Sequence, residues 1–464
     1  MSPNRREAVA VGALVLAAVA LWLIAPTYPN YDAYYHLVWG RELFDGHAPT
    51  FEAYQAPTQH PLYVALCAVL GLVFGAHADR VLVLVGALSL VWLTWATWRT
   101  GRAVFGTWAG LLAGLFVGSS FAFLLYAARA YDDVPFLALV MTAAMVEAQR
   151  PRERPRLVLA LLVLAGLLRP EAWVLAGLYW LWCAVPARRV RADLLLLAVA
   201  APVLWAIVDL AVTGDPLHSL HATSDLADEL GRATGLRSVP KSFVTFVFDV
   251  ARPPVAAAGV LGLTLAWRSR EQLRSLHVPL ALLVAGTVTF VGSGVAGLSI
   301  LPRYLTVPVV ALCLLAGHLV ATLGRDRRVL AAMVAVGVAF LVLKAGSFAK
   351  LGTELRFIRT THDDLVATLE DPRVAKARAC GIVTLPNYRL VPDTKWILDS
   401  GAVGARSAKR HATGVALFVN GQKALKRYGF ADAASPLTLV PDPGFAPIAR
   451  HGTFTAYAAC GAGR

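Results

Sequence analysis

The stretch Tyr28–Pro61 reads YPNYDAYYHLVWGRELFDGHAPTFEAYQAPTQHP. It follows directly on an apolar run, about residues 8 to 25, and is too polar to sit in lipid. Asp32, His36, Arg41, Glu42, Asp45, Glu52 and His60 are spread through it among aromatic rings. Ionisable groups gathered with aromatics between apolar segments mark a candidate binding or catalytic loop of a membrane protein. For any one residue of it the plain alternative is a solvent-facing loop with an interfacial belt of tyrosine and tryptophan.

Working outward, the rest of the chain agrees with that class. Of 464 residues, 57% are hydrophobic and 16% are charged, with mean hydropathy +0.60. Soluble domains carry roughly 25% charged residues, so the deficit, with repeated long apolar runs, reads as a polytopic integral membrane protein. The formal net charge of +14 is then a topology signal and not a nucleic-acid footprint. Five cysteines are too few for a disulfide scaffold. No phosphate-cradling nucleotide motif is present.

Arg5 and Arg6 precede the first run and hold the N-terminus in the cytoplasm by the positive-inside rule. The run is a signal anchor, not a cleavable leader. The loop 26–79 is then extracytoplasmic. Pro61 to Phe74 is short for a span, which needs ~20 residues, and is expected as a juxtamembrane or re-entrant helix. From there the runs alternate. Arginine-rich turns (RTGR, QRPRERPR, PARRVR, RSREQLR, GRDRR) fall on the inside, while Asp132, Asp133, Arg169, Glu171, the polar segment 213–252 and Arg303 fall outside. The count is eleven spans. The expected fold is therefore an all-α polytopic membrane protein of about eleven transmembrane helices over residues 1–344, with a small C-terminal extracytoplasmic α/β domain over 345–464. In that tail, 351–369 reads as a helix and GIVTLPN, ATGVALFV and FTAYAAC as short strands. Cys380 and Cys460 flank it and either pair in an oxidising compartment or remain two buried thiols.

The chemistry-bearing residues lie on the expected outer face. Asp32 stands at the head of the aromatic loop, four residues before His36, which puts both on one side of a helix. Tyr35, His36, Glu52, Gln59, Arg129 and Glu171 are candidate substrate contacts. Asp132 and Asp133 are adjacent carboxylates that raise each other's pKa unless a divalent ion, Arg129 or a substrate group offsets them, and helical geometry points them different ways, one toward the cavity. Arg303, His60 and Arg169 are candidate phosphate binders, arginine being suited by its planar fork. A divalent cation, Mg or Mn, is compatible with the acids, with Asp32 and Asp132 as candidate ligands.

These stretches together resemble the polytopic, lipid-carrier-dependent glycosyltransferases of the GT-C class, which include protein O-mannosyltransferases, aminoarabinose transferases and oligosaccharyltransferase catalytic subunits. Asp32 in PNYDAYYHLVWGREL is similar to the first-loop aspartate of the class, ARAYDDVP at 128–135 to its second acidic motif, and Arg303–Tyr304 to its late Arg-Tyr pair. Arg169–Glu171 and TGDP at 213–216 resemble recurring loop elements. Gln59, His60 and Pro61 stand where some bacterial members have acid-lysine-proline, a departure in both polar positions. The resemblance implies a glycosyltransferase of the cytoplasmic (inner) membrane that takes a polyprenyl-phosphate sugar donor among the membrane lipids. The acceptor would be an envelope glycan, glycolipid or protein hydroxyl, and nucleic acid would have no part. Inverting displacement needs one general base, Asp32, with Asp132 or Asp133 orienting the acceptor. A proton-coupled transporter and a non-catalytic envelope-assembly protein are the competing classes. The side-by-side placement of acids and polar loops at one face, away from the bilayer midplane, favours the enzyme over the transporter.

Overall fold

A computed structural model describes residues 3–187, 191–269, 273, 276–429 and 441–461. The chain divides into two compact units: residues 1–25, 60–63 and 83–350 form one, and 26–59, 64–82 and 351–464 the other. The first unit is helical. Its elements are α1 Pro3–Ile24, then, after α2 Tyr31–Phe44 and α3 Pro61–Phe74, α4 Ala78–Phe105, α5 Thr107–Gly118, α6 Phe121–Ala128, α7 Asp133–Gln149, α8 Pro155–Gly166 and α9 Glu171–Ala187. There follow α10 Ala192–Thr213, α11 His218–Glu229, α12 Val239–Ala251, α13 Pro253–Arg268, α14 His277–Val295, α15 Thr306–Leu323 and α16 Arg327–Glu370.

Among the described residues, six helical stretches are long and apolar enough to cross a bilayer, or eight if two bent pairs each count as one span. The expected eleven is thus not what length and composition give. The differences have local causes. The run 104–126 breaks at Ser119–Ser120 into α5 and α6, bent by 55°. The stretch expected as polar loop up to Arg252 contains α12, whose apolar face (Phe243, Phe246, Val247) packs on Phe290, Ile300 and Leu305. Pro253 and Pro254 start α13 at 105° to it. Pro61–Phe74 is a helix of its own, joined to α4 by a short 3₁₀ turn. The helices α7, α8 and α9 are 17, 12 and 17 residues long and fall outside that count.

α15 is the central strut: Thr306 to Leu319 is buried throughout. It can be reached closely because its neighbours present glycine, as membrane bundles favour. A methyl on Gly262 would stand 2.7 Å from the Leu315 carbonyl carbon, so a side chain there would force α13 off α15. The ends of the helices meet in the pairs the charge pattern requires. Glu7 accepts from Trp95 and Arg99 at 2.8 and 2.9 Å, tying the N-terminal arginines to the RTGR end of α4. Glu147 and His277 meet at another arginine-rich end, 3.8 Å apart. The turns PARRVR and RSREQLR lie partly outside the described residues. If the expected sidedness holds, a cysteine placed at Gly235 is labelled by an impermeant maleimide from outside intact cells and one at Gly324 is not. The reverse pattern would invert the topology.

The second unit joins the first loop to the tail. Its sheet has five strands: β1 Val383–Leu385, β2 Val403–Ala405, β3 Gly414–Val419, β4 Ala446–His451 and β5 Phe454–Ala459, in the order β2-β1-β3-β5-β4. β1 runs parallel to β2 and β3, and β5 antiparallel to β3 and β4. The three strands legible in the sequence are the three inner ones. Cys380 and Cys460 form a disulfide, with Cα atoms 5.2 Å apart, that links the entry to β1 with the exit from β5. Closing a loop of 80 residues removes denatured-state entropy worth about 4 kcal/mol in the chain-entropy picture. The domain boundary expected at 344/345 falls inside the single helix α16.

In this unit α2 starts with Asn30, whose side chain accepts from Ala33 N at 3.1 Å, an N-cap that satisfies an otherwise orphaned amide. Arg41 lies 3.7 Å over the Trp396 ring and donates to Asp399 at 2.5 Å, and Tyr28 stacks on His362 at 3.6 Å. The aromatic loop is therefore core as much as surface: Tyr35 and Trp39 are fully buried against Tyr31 and Phe51.

Candidate active site

Two elements of sequence create the buried centre of the first unit. After α6 the chain turns through Ala130, a non-glycine residue at φ +51°. The turn is held by the Tyr63 hydroxyl, which donates to the Ala130 carbonyl at 2.7 Å. That turn delivers Asp132 at the cap and Asp133 at the first position of α7, and both are buried, 3% and 0% exposed. The expectation that only one acid faces inward is corrected here: both are buried, although Asp132 has helical dihedrals and its carbonyl accepts from Phe136 N at 3.1 Å, because the protein packs around both sides of the start of α7.

The second element is Arg169–Pro170–Glu171 between α8 and α9. Arg169 is 2% exposed, and every arm of its guanidinium is committed to a carboxylate. Nη1 donates to Asp133 Oδ1 at 2.7 Å, Nη2 to Glu171 Oε1 at 2.7 Å and Nε to the same oxygen at 3.1 Å. Asp132 Oδ2 is 4.0 Å from Nη1 and 3.5 Å from His60 Nε2. Tyr304 lies beneath the guanidinium, 5.4 Å from its centre. Arg303, half-buried, is near enough to act electrostatically on Asp133 and Tyr126. Three carboxylates are thus balanced against two guanidiniums and one imidazole. Asp133 Oδ2 is buried and accepts no hydrogen bond among the described residues, which makes it an acceptor aimed into the centre.

This arrangement corrects one expectation. Arg169 does not have a fork to spare for a phosphate, because its donors bind Asp133 and Glu171. Among the described residues no group of three or more His, Cys, Asp or Glu is placed to hold a metal.

In the second unit Asp32 is half-buried in the first turn of α2, where a helix N-terminus favours a negative charge. Its backbone carbonyl accepts from His36 Nδ1 at 2.5 Å. Since a carbonyl only accepts, the proton of His36 sits on Nδ1. His36 and Tyr35 are 1% and 0% exposed, so both shape the loop from within. Tyr35 donates weakly to the Tyr54 carbonyl at 3.5 Å, and burial raises its phenol well above the ordinary value. Glu52 is exposed, Gln59 is buried and Arg129 is half-buried at the end of α6.

Sequence reading passed over two features. Asp209 lies in the apolar run of α10 yet is 1% exposed. It accepts from Ser219 N and Oγ, both at 2.9 Å, and Ser219 Oγ accepts from Trp205, whose ring meets His60 edge-on at 5.6 Å. An acid inside a hydrophobic run was the available signal. The other is Arg252, at φ +68° in the break between α12 and α13, with its guanidinium 5.0 Å over Phe121. It and Lys344 border a groove of about 630 Å³ walled by α5, α13, α15 and the start of α16 (Phe116, Leu261, Met333 and Phe340 among its apolar lining), with Ser119, Ser120 and Ser347 alongside. The groove is thus mainly apolar, with two basic residues in its lining.

The sequence matches no family model and no curated protein. Solved structures match across nearly its whole length. ArnT from Cupriavidus metallidurans bound to undecaprenyl phosphate is 14% identical, with TM-score 0.60 over 97% of this chain and 98% of that one. The same protein in the apo state gives 15% identity and TM-score 0.53 over 97% of each chain. The Archaeoglobus fulgidus oligosaccharyltransferase, tethered to an acceptor peptide, gives 12% and 0.51 over 87% of this chain and 64% of that one. The chain therefore shares the fold of these two membrane proteins, which are of the kinds the sequence resemblance named.

Proposed function

We propose that this protein is a membrane glycosyltransferase. It would move a sugar from a polyprenyl-phosphate-linked donor to a hydroxyl of an envelope glycan, glycolipid or protein on the outer face of the cytoplasmic membrane. The observation that carries the reading is the groove: an apolar slot ending at Arg252 and Lys344 suits a long isoprenoid with a phosphate head, and it occurs in the same unit as a buried carboxylate centre. The shared fold supports it.

In the reaction the bond from the anomeric carbon to the phosphate oxygen breaks, and its electron pair leaves on a phosphate that is already ionised. The acceptor oxygen forms the new bond from the opposite face, inverting the centre, and gives its proton to a base. Asp32 is that base. Asp133, fixed through Oδ1 by Arg169, offers Oδ2 to an acceptor hydroxyl, and Asp132 orients with it. Arg303 meets the carrier phosphate as charge builds there.

Titration with a fluorescent polyprenyl-phosphate sugar separates these roles. Reversing Arg252 and Lys344 to Glu should weaken donor binding by about 30-fold, from roughly 1 kcal/mol for each basic residue at a lipid head. Arg303→Ala should lower both binding and turnover, the latter by up to ~10²–10³. Unchanged donor affinity in both variants would remove the carrier from this groove and leave Arg303 an interfacial anchor.

A further inference from the structure

α7 carries Asp133 at one end and a second buried acid, Glu147, at the other, some four turns away. Glu147 is 4% exposed and fully occupied. It accepts from the Tyr179 hydroxyl at 2.9 Å, Trp182 Nε1 at 2.9 Å and the Arg152 backbone at 3.1 Å, with His277 Nε2 at 3.8 Å. None of these takes part in the proposed transfer. Their combined effect is to build a mouth. Trp182 and His277 stack in parallel at 5.0 Å, and the Arg152 guanidinium lies 4.0 Å over the outer face of Trp182. Arg152 reaches that place through a backbone at φ +63°, in a turn that also exposes Arg150 and Arg154.

Behind the mouth is a cavity of about 510 Å³ between α7, α8, α9 and α14, walled by aliphatic side chains such as Val140, Leu162, Leu175 and Leu282. It lies within the usual size of a small-molecule site, ~300–1,000 Å³. An apolar chamber whose polar groups converge at one end asks for an amphiphile. The charge decides which: the acid is internally satisfied, while Arg152 and Arg154 are presented outward, so the head is anionic. Basic pockets between helices at a membrane surface hold lipid headgroups in this way.

We infer that this chamber binds one anionic phospholipid of the adjacent leaflet, an acyl chain among α7, α8, α9 and α14 and its phosphate on Arg152 and Arg154. Glu147 is a positioning residue for the mouth and does not touch the lipid head. The site is independent of the transfer reaction, and its occupancy would brace the end of α7 opposite to Asp133.

The test is native mass spectrometry of the full-length protein released from nanodiscs containing phosphatidylglycerol, phosphatidylcholine or both. The wild-type protein should retain one more phosphatidylglycerol than the Arg152→Glu, Arg154→Glu variant, whose apparent affinity for it should fall roughly 30-fold at about 1 kcal/mol per residue. Leu162→Trp, which fills the chamber and leaves the arginines intact, should lose the same lipid, and phosphatidylcholine should not substitute. Equal retention of the two lipids, retention unchanged in both variants, or displacement of the bound lipid by added undecaprenyl phosphate at equal concentration would each overturn the assignment.

Discussion

Asp32→Asn is expected to bind the donor lipid as the native protein does and to lose transfer by about 10²–10⁴-fold, the range a positioned general base supplies. The substitution keeps size and hydrogen bonding but removes basicity. The start of α2 is also held by the Asn30 cap and by buried Tyr35 and Trp39. The effect of the substitution should therefore lie in turnover and not in donor affinity, opposite to Arg252→Glu. Single-turnover kinetics with saturating donor read this directly. Wild-type turnover in the variant would show that the proton goes elsewhere, with Asp133 Oδ2 the next position to examine.

Arg169→Ala should be the most destabilising single change in the first unit. It removes the guanidinium that bonds Asp133 and Glu171 and leaves buried carboxylates uncompensated, which costs about 3–5 kcal/mol when one partner of a buried pair is lost. Arg169→Lys should recover only part of this, since one ammonium cannot span Asp133 Oδ1 and Glu171 Oε1 with the geometry of a fork. Adding Asp133→Asn and Glu171→Gln to Arg169→Ala should restore much of the stability and none of the transfer. Thermal unfolding in detergent, followed alongside transfer, separates the two. Stability of Arg169→Ala within ~1 kcal/mol of native would mean that the acids are protonated or solvated and that the cluster is not held by charge.

How far the sequence foretold these features depends on the range of the interaction. The strands β1, β3 and β5 were legible as apolar runs of high strand propensity, and they are the sheet interior. β2 is three residues with a central glycine, and β4 carries Pro447 and an irregular register at Pro447/Ala449. Both are edge strands, where such residues are tolerated and the pattern is weakest. The alternation of arginine-rich turns did not give the number of spans. A break such as Ser119–Ser120 costs little in an apolar run once neighbouring helices cover it, and the hydropathy does not change there.

The outer acids and arginines were legible as a set. Their pairing was not, because Arg169 joins residues 36 positions apart in sequence with one only two away, and nothing local distinguishes a clasped guanidinium from one free to hold phosphate. Arg252 entered the sequence reading only as the end of the polar segment 213–252. What distinguishes it, a positive φ ahead of Pro253 and Pro254 and a place on the rim of a groove, exists only after α12 has packed on Phe290 and Leu305. Tyr35 and His36 differ again: an aromatic and an ionisable residue in a polar loop suggested contact with substrate, and the loop folds on itself and buries both, a depth that the sequence pattern did not signal.

The central claim, that the protein transfers sugar from a lipid carrier, is tested most directly with purified protein in nanodiscs. These would be given a panel of synthetic polyprenyl-phosphate sugars labelled in the sugar, together with an envelope acceptor fraction. The account predicts that for one donor the label moves to acceptor while free polyprenyl phosphate is released in equal amount, and that Asp32→Asn abolishes both. Donor left intact across the whole panel, with proteoliposomes of the same protein accumulating a soluble substrate in its absence, would contradict the claim and make the protein a transporter.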